Sequence, residues 1–257
     1  MLLDYHIHAV AHGEYDYSLE WIGKFLTRAS ELGLQEIGLS EHDEYRELVN
    51  HGLIGEIQDQ FPTIKIKKGL EVDFIPGRES VIKEFLASGN YDYAIGSVHF
   101  IDGWGFDHPD YRQGFESRDI DEIYQEYFNL VKKAAESGLF DIMGHIDLIK
   151  IWGHRPYRHN IAFYLEPVLR SIKAQGIVIE INSGGMRKPV GEIYPAPEIL
   201  NMMRALDIPI TLGSDAHHPD QVGEGLQQAA QLACSAGYRK VVRFEGRRQM
   251  PALLLST

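Results

Sequence analysis

The chain has 257 residues, with 25 Lys and Arg against 37 Asp and Glu, for a formal charge of −12. That balance argues against a nucleic-acid backbone as the main partner, since such binding rests on cations neutralising phosphates, yet it leaves a small phosphorylated ligand open to a local cationic cluster. A single cysteine, Cys234, forms no internal disulfide, no apolar run approaches the roughly 20 residues that span a bilayer, and the amino terminus carries no basic or apolar leader, so a cytoplasmic protein with no membrane partner is expected.

Strand and helix periodicities alternate along the chain. Residues 3–8 read as a strand. Ser18 caps a helix running to residue 32, with Leu19, Ile22, Leu26 and Ala29 at helical spacing and Gly33 as its stop. A strand over 36–40 leads into a weaker helix over 44–58, interrupted by Gly52 and Gly55. Residues 64–70 alternate apolar and Lys, the pattern of a half-buried strand; 78–87 read as a helix and 92–98 as a strand. The long stretch 100–118 is rich in glycine and aromatic residues, which in a compact domain points to a functional loop. The clearest helix, 119–137, places Ile120, Ile123, Tyr124, Tyr127, Val131 and Ala134 on one face. Strand 141–145, loop 148–159, helix 161–174, strand 178–182, loop 183–195, helix 197–206, strand 209–214 and helix 222–236 follow. Residues 240–244 fit an eighth short strand. Strands alternating with helices imply a parallel sheet with right-handed crossovers, and seven or eight such units suggest a closed α/β barrel. Nothing in composition divides residues 1–257, so one domain is expected.

The strands of this scheme end in polar groups. Apolar segments run into His6-Ile7-His8, Glu41-His42, Glu71-Val72-Asp73, His99, His145-Ile146-Asp147, Asn182 and Asp215-Ala216-His217. In a parallel barrel these ends share one face. His6, His8, His12, His42, His99, His145 and His217 all fall at or just after such ends. So many imidazoles packed together without metal would leave ring nitrogens unpaired, which is costly. Mixed imidazole and carboxylate donors suit zinc, manganese or iron. The set exceeds one tetrahedral site, so two or three divalent ions sharing Glu71 as a bridge are expected. Such clusters activate water and neutralise phosphate oxygens, the combination a hydrolase needs. The sequence has no P-loop, no Gly-x-Ser-x-Gly elbow and no cysteine placed as a nucleophile.

Five stretches, Asp4-Tyr5-His6-Ile7-His8, Gly38-Leu39-Ser40-Glu41-His42, Gly69-Leu70-Glu71-Val72-Asp73, Gly96-Ser97-Val98-His99 and Gly213-Ser214-Asp215-Ala216-His217, resemble in order the motifs of the PHP (polymerase and histidinol phosphatase) metallophosphoesterases. The stretches 99–107, 180–189 and 192–195 resemble its histidinol-phosphatase branch. The resemblance implies a distorted (β/α)7 barrel with a trinuclear site, and hydrolysis of the small phosphomonoester L-histidinol phosphate to L-histidinol and phosphate. It implies one ion on His6, His8, Glu71 and Asp215, a second on Glu71, His99 and His145, and a third on His12, His42 and His217, with Asp16 as the alternative to His12. Asp147 and His218 are expected to orient ligand imidazoles.

Around the ions, Arg187 suits a bidentate grip on phosphate oxygens, and Lys188 reads equally as a phosphate contact or a solvated surface cation. Ser183 opens the same loop and is a further candidate contact. Arg155 and Arg158 offer a second clamp. Trp104 is a candidate support for an imidazole ring or, equally, part of a small satellite core. Asp215, Arg187 and His217 are the candidate catalytic groups; the proton for the leaving alkoxide comes from His217 or from a water. Two rival readings remain: a PHP phosphoesterase acting on a nucleotide or phosphotyrosine, and a metal-binding regulatory module without catalysis.

Overall fold

The computed structural model describes residues 1–255. In chain order it contains β1 (Leu3–Ile7), α1 (Leu19–Glu31), β2 (Glu36–Leu39), α2 (Gly52–Gln58), β3 (Lys65–Asp73), α3 (Glu79–Ser88), β4 (Tyr93–Ser97), β5 (Phe100–Ile101), β6 (Trp104–Gly105), α4 (Ile120–Glu136), β7 (Ile142–Met143), α5 (Ile161–Gln175), β8 (Val178–Asn182), α6 (Pro197–Ala205), β9 (Ile210–Gly213), α7 (Leu226–Ser235), β10 (Lys240–Glu245) and β11 (Arg248–Leu253). Local signals set the helix ends. Ser18 accepts from Trp21 N, Asp119 from Asp121 N and Glu122 N, and Asn160 from Phe163 N, while Gly176 closes α5 at φ 67°. Among the described residues, no helix is long and apolar enough to cross a membrane.

Seven strands pair in parallel in the order β1-β2-β3-β4-β7-β8-β9. The sheet curls until its edges meet. Ile7 bridges Ala216 in parallel, His8 N donates to Ala216 O at 2.7 Å, and the buried Asp4 carboxylate accepts from Ser214 N at 2.8 Å and Ser214 Oγ at 2.5 Å. The result is a nearly closed α/β barrel. Its interior is filled at Tyr5 and Tyr93, whose rings stack 4.8 Å apart, and Tyr93 donates its hydroxyl to Tyr5 O at 2.7 Å.

Three expectations shift. Residues 43–48 form a 3₁₀ turn and α2 starts only at Gly52, because the buried Asp43 side chain accepts from Asp73 N at 3.1 Å and Arg78 Nη2 at 2.7 Å, pinning that turn to β3. Residues 240–245 do not join the barrel, whose edges are already closed on each other; β10 pairs antiparallel with β11 instead. Phe244 from this hairpin packs 6.2 Å from Tyr5 and 5.8 Å from Tyr93 and so helps cover the barrel interior. The stretch 100–118 is largely ordered into the β5–β6 hairpin and a 3₁₀ helix over Pro109–Phe115.

The Tyr93 ring occupies the space over two glycines. A methyl group at Gly38 would come within 1.6 Å of its hydroxyl, and one at Gly69 within 2.5 Å of the ring, whereas Gly55 in α2 has open space. Gly38→Ala and Gly69→Ala should each cost about 1–3 kcal/mol of stability from overpacking. Gly55→Ala should instead gain roughly 0.5–1 kcal/mol from helix propensity. Urea unfolding of the three variants checks this, and equal behaviour of all three would refute the Tyr93 argument.

Candidate metal centre

The centre is assembled around Glu71. β3 is nine residues long and serves two neighbours, pairing with β2 over its first half and with β4 from Gly69 to Asp73. That extension carries Glu71, almost fully buried, into the barrel mouth. Its Oε2 lies 3.2 Å from His6 Nε2, 3.4 Å from His8 Nε2 and 2.9 Å from His42 Nδ1, while Oε1 lies 3.1 Å from His145 Nε2 and 3.7 Å from His99 Nε2. His6 and His8 reach the same side because alternate residues of an extended strand share a face. Asp215 Oδ1 comes within 3.5 Å of His8 Nε2 from the β9 tip, on a left-handed backbone (φ 56°) that Asp tolerates better than most residues.

Buried polar atoms ordinarily find hydrogen-bond partners. Here His6 Nε2, both nitrogens of His8, His145 Nδ1, His217 Nε2 and Glu71 Oε2 are buried without one, although carboxylates crowd the same space. The ligand atoms converge instead. Four sets, His6/His8/Glu71, His6/His145/Asp215, Glu71/His99/His145 and His8/His42/His217, each bring their donor atoms within 4.8 Å of one another. Such nitrogen and oxygen sets fit transition-metal ions, and Glu71 belongs to two of them.

Two carboxylates hold the imidazoles in place. Glu180 Oε1 sits 2.7 Å from His6 Nδ1, and its Oε2 accepts from His145 N at 3.2 Å. Asp73 bonds His99 Nδ1. Each lies two residues along a strand from a residue of the site, Asn182 or Glu71, and so on the same face; that spacing was the available signal for both. Glu41 accepts from Ala9 N at 2.6 Å and Val10 N at 3.2 Å, fixing the chain just after His8.

Burial works against charge throughout. It opposes ionisation of His6, but the Glu180 carboxylate, followed by Glu71 and Asp215, holds this imidazolium well above its ordinary range. Burial drives His8 well below its ordinary range, and His42 and His217 push in the same direction. Burial would raise Glu71, yet His6 and His42 keep its carboxyl well below the usual carboxylate range. His217 is pulled down to about 4, chiefly by burial, with Asp215 acting in the opposite sense. That direction favours the neutral ring a metal ligand presents.

The mouth opens into a cavity of about 430 Å³. Its wall includes His12, His42, Glu71, His99, His145, Asp215 and His217, together with Arg187 and Lys188, and also Glu14, Asp107, Leu148, Ile151 and Gln221. His12 stacks 4.8 Å from His217 and 5.4 Å from His42, flanking the His8/His42/His217 set without belonging to it. Asp16 is exposed and does not line the cavity. Arg187 Nη2 donates to Ser214 O at 2.7 Å and Asp215 O at 2.8 Å, and its Nη1 to Glu224 at 3.3 Å.

Other expected contacts lie off the wall. Arg155 pairs with Glu192 at 2.8 Å, Arg158 with Asp119, and Ser183 Oγ donates to Glu224 O at 2.5 Å. Trp104 donates to Tyr111 O and packs 4.8 Å from Phe115, closing a satellite core rather than facing the ions' side chains. Asp147 pairs with Lys150 at 2.9 Å, and His218 Nδ1 accepts from Asp220 N, so neither orients a ligand imidazole.

Purified protein should carry more than one transition-metal ion per chain by elemental analysis, and Glu71→Gln should lose more metal than His99→Ala because Glu71 serves two donor sets. One ion or fewer in active protein would reject the shared-carboxylate arrangement. Glu180→Gln, which leaves every donor in place, should weaken metal retention against a chelator by about 10- to 100-fold.

The PHP domain profile matches residues 4–184. A "Probable histidinol-phosphatase" of Deinococcus radiodurans is 39% identical over 199 residues, covering 77% of this chain and 75% of that protein. The histidinol-phosphatase of Lactococcus lactis is 28% identical, covering 95% of this chain and 94% of its own. A crystal structure of the Lactococcus lactis histidinol phosphate phosphatase with zinc, L-histidinol and phosphate superposes with a TM-score of 0.79 at 25% identity, covering 97% of this chain and 98% of that one. With the profile spanning most of the barrel and the donor sets, the chain belongs to the PHP domain family.

Proposed function

We propose that this protein is a metal-dependent histidinol-phosphatase, a phosphoric monoester hydrolase that converts L-histidinol phosphate to L-histidinol and phosphate in histidine biosynthesis. The observation that carries this reading is the convergence of imidazole and carboxylate donors on Glu71 beneath a cavity edged by Arg187 and Lys188. The relatives named histidinol-phosphatase, and the zinc, L-histidinol and phosphate bound by the Lactococcus lactis protein, support the substrate.

We assign His6, His8, Glu71 and Asp215 to one ion, Glu71, His99 and His145 to a second, and His42 and His217 with His12 beside them to a third; zinc, manganese or iron suits these donors. Divalent ions held there would lower the pKa of a water and offset phosphate charge. Glu180 and Asp73 keep the rings of His6 and His99 aimed at the shared carboxylate. Arg187, fixed by the carbonyls of Ser214 and Asp215, presents its guanidinium to phosphate oxygens, and Lys188 makes no ion pair among the described residues and adds a free cation. The departing alkoxide takes its proton from His217 or from a neighbouring water. The chain acts as one cytoplasmic domain on a small molecule, with neither nucleic acid nor membrane as partner.

Phosphate release from L-histidinol phosphate, a nucleoside monophosphate and phosphotyrosine, each with and without chelator, tests the reading. Chelator-sensitive turnover should be fastest with L-histidinol phosphate; a faster rate on either other ester would overturn the substrate, and no turnover on any would overturn the enzyme. Arg187→Lys should lower kcat/KM by about 10- to 150-fold, the equivalent of one charge-assisted hydrogen bond of roughly 1.5–3 kcal/mol. Wild-type kcat/KM in that variant would remove Arg187 from the phosphate site.

A further inference from the structure

The phosphate chemistry leaves part of the cavity wall unused. Leu148 and Ile151 supply apolar surface there, and Asp107 contributes a carboxylate. The backbone on both sides of Asp107 is fixed. Phe106 is fully buried, packs 5.5 Å from Tyr127, and its carbonyl accepts from Trp152 Nε1 at 2.8 Å. His108 caps the next turn by accepting from Asp110 N. The Asp107 side chain, by contrast, is half-buried and makes no hydrogen bond or ion pair among the described residues, its charge acting only from a distance on the His99 imidazole. A carboxylate partly withdrawn from water without a direct hydrogen-bonding partner is costly unless a cation comes into contact with it. Held on fixed backbone, it is also pre-organised for that ligand.

We infer that Asp107 is a specificity-determining residue that binds a protonated primary amine on the carbon next to the phosphorylated one. This inference rests on the proposed histidinol-phosphatase function. L-histidinol phosphate is a phosphate ester of that kind, with its ammonium one carbon removed from the ester carbon and an imidazole beyond it. When Arg187, Lys188 and the metal donors hold the phosphate, the ammonium needs an acidic partner within the same cavity and the ring needs apolar surface. Asp107 supplies the first, and Leu148 and Ile151 the second. Of the other acids on the wall, Glu71 and Asp215 belong to the metal donor sets, and Glu14 is exposed on the β1 loop beside His12.

Steady-state kinetics of wild type, Asp107→Asn and Glu14→Gln should be compared on L-histidinol phosphate and on its deamino analogue, which keeps the phosphate and imidazole but lacks the amine. Wild type should prefer the amine-bearing ester. Asp107→Asn should lose about 10- to 150-fold in kcat/KM on L-histidinol phosphate, mainly through KM, and the preference over the analogue should shrink by a similar factor. Equal losses on both esters would make Asp107 structural and overturn the inference. So would an equal loss of preference in Glu14→Gln, since net charge rather than position would then be at work. A wild-type preference that survives Asp107→Asn rejects the role of Asp107 alone. Wild type that turns over neither imidazole ester, while hydrolysing another phosphomonoester, rejects the functional reading beneath it.

Discussion

Glu71 is a buried anion compensated by imidazoles, and the architecture of the mouth follows from that requirement. A carboxylate taken this far from water is unfavourable unless charge or hydrogen bonds meet it. Five histidines from four strand tips, two of them from β1, approach its two oxygens, and Ser97 Oγ donates to Oε1 at 2.6 Å. The imidazoles are in turn aimed by Glu180 and Asp73, so the arrangement has depth: acids behind the rings, rings around the acid. A cluster with more nitrogens than protons can pair is poorly satisfied as protein alone and well matched to cations.

The barrel delivers these groups by unequal means. β3 is long, and its continuation past the reach of β2 is what lifts Glu71 into the mouth. β7 has only two residues, and His145 follows almost at once, fixed by its own backbone N–H on Glu180. The segment bearing Arg187 is a short 3₁₀ turn whose cation is clasped by the backbone of the neighbouring strand tip. Precision in the site therefore comes from contacts between adjacent tips and not from the regularity of each strand.

Alternating periodicity made the barrel legible in the sequence, and the ligand types at strand ends made the centre legible, because both depend on patterns only a few residues long. What escaped depends on contacts between distant segments. The pairing of β10 with β11 follows from barrel closure at Ile7 and Ala216, which no local pattern announces. Arg155, Arg158, Ser183 and Trp104 carry suitable chemistry in suitable loops, but their partners, Glu192, Asp119, Glu224 and Phe115, turn them away from the cavity. The spacing of Glu180 from Asn182 puts it on the inward face, but its orienting role depends on His6, 174 residues away in sequence. The lowered pKa of His217 likewise reflects its burial in the folded mouth, which its sequence neighbours do not reveal.

The closing seam of the barrel has a consequence for when the site can exist. Asp4 and Ser214, or Ile7 and Ala216, stand at opposite ends of the barrel sequence, and His6 and His8 lie on one side of that seam while Asp215 lies on the other. A ribosome-bound chain that has not yet released β9 has Glu71 and most of the imidazoles, but neither the edge that closes the sheet nor the last carboxylate. Contacts of such sequence separation form late and slowly. The centre is thus completed by the same event that completes the barrel, so a partly folded chain exposes an unfinished set of ligands and the finished set appears only with the finished fold.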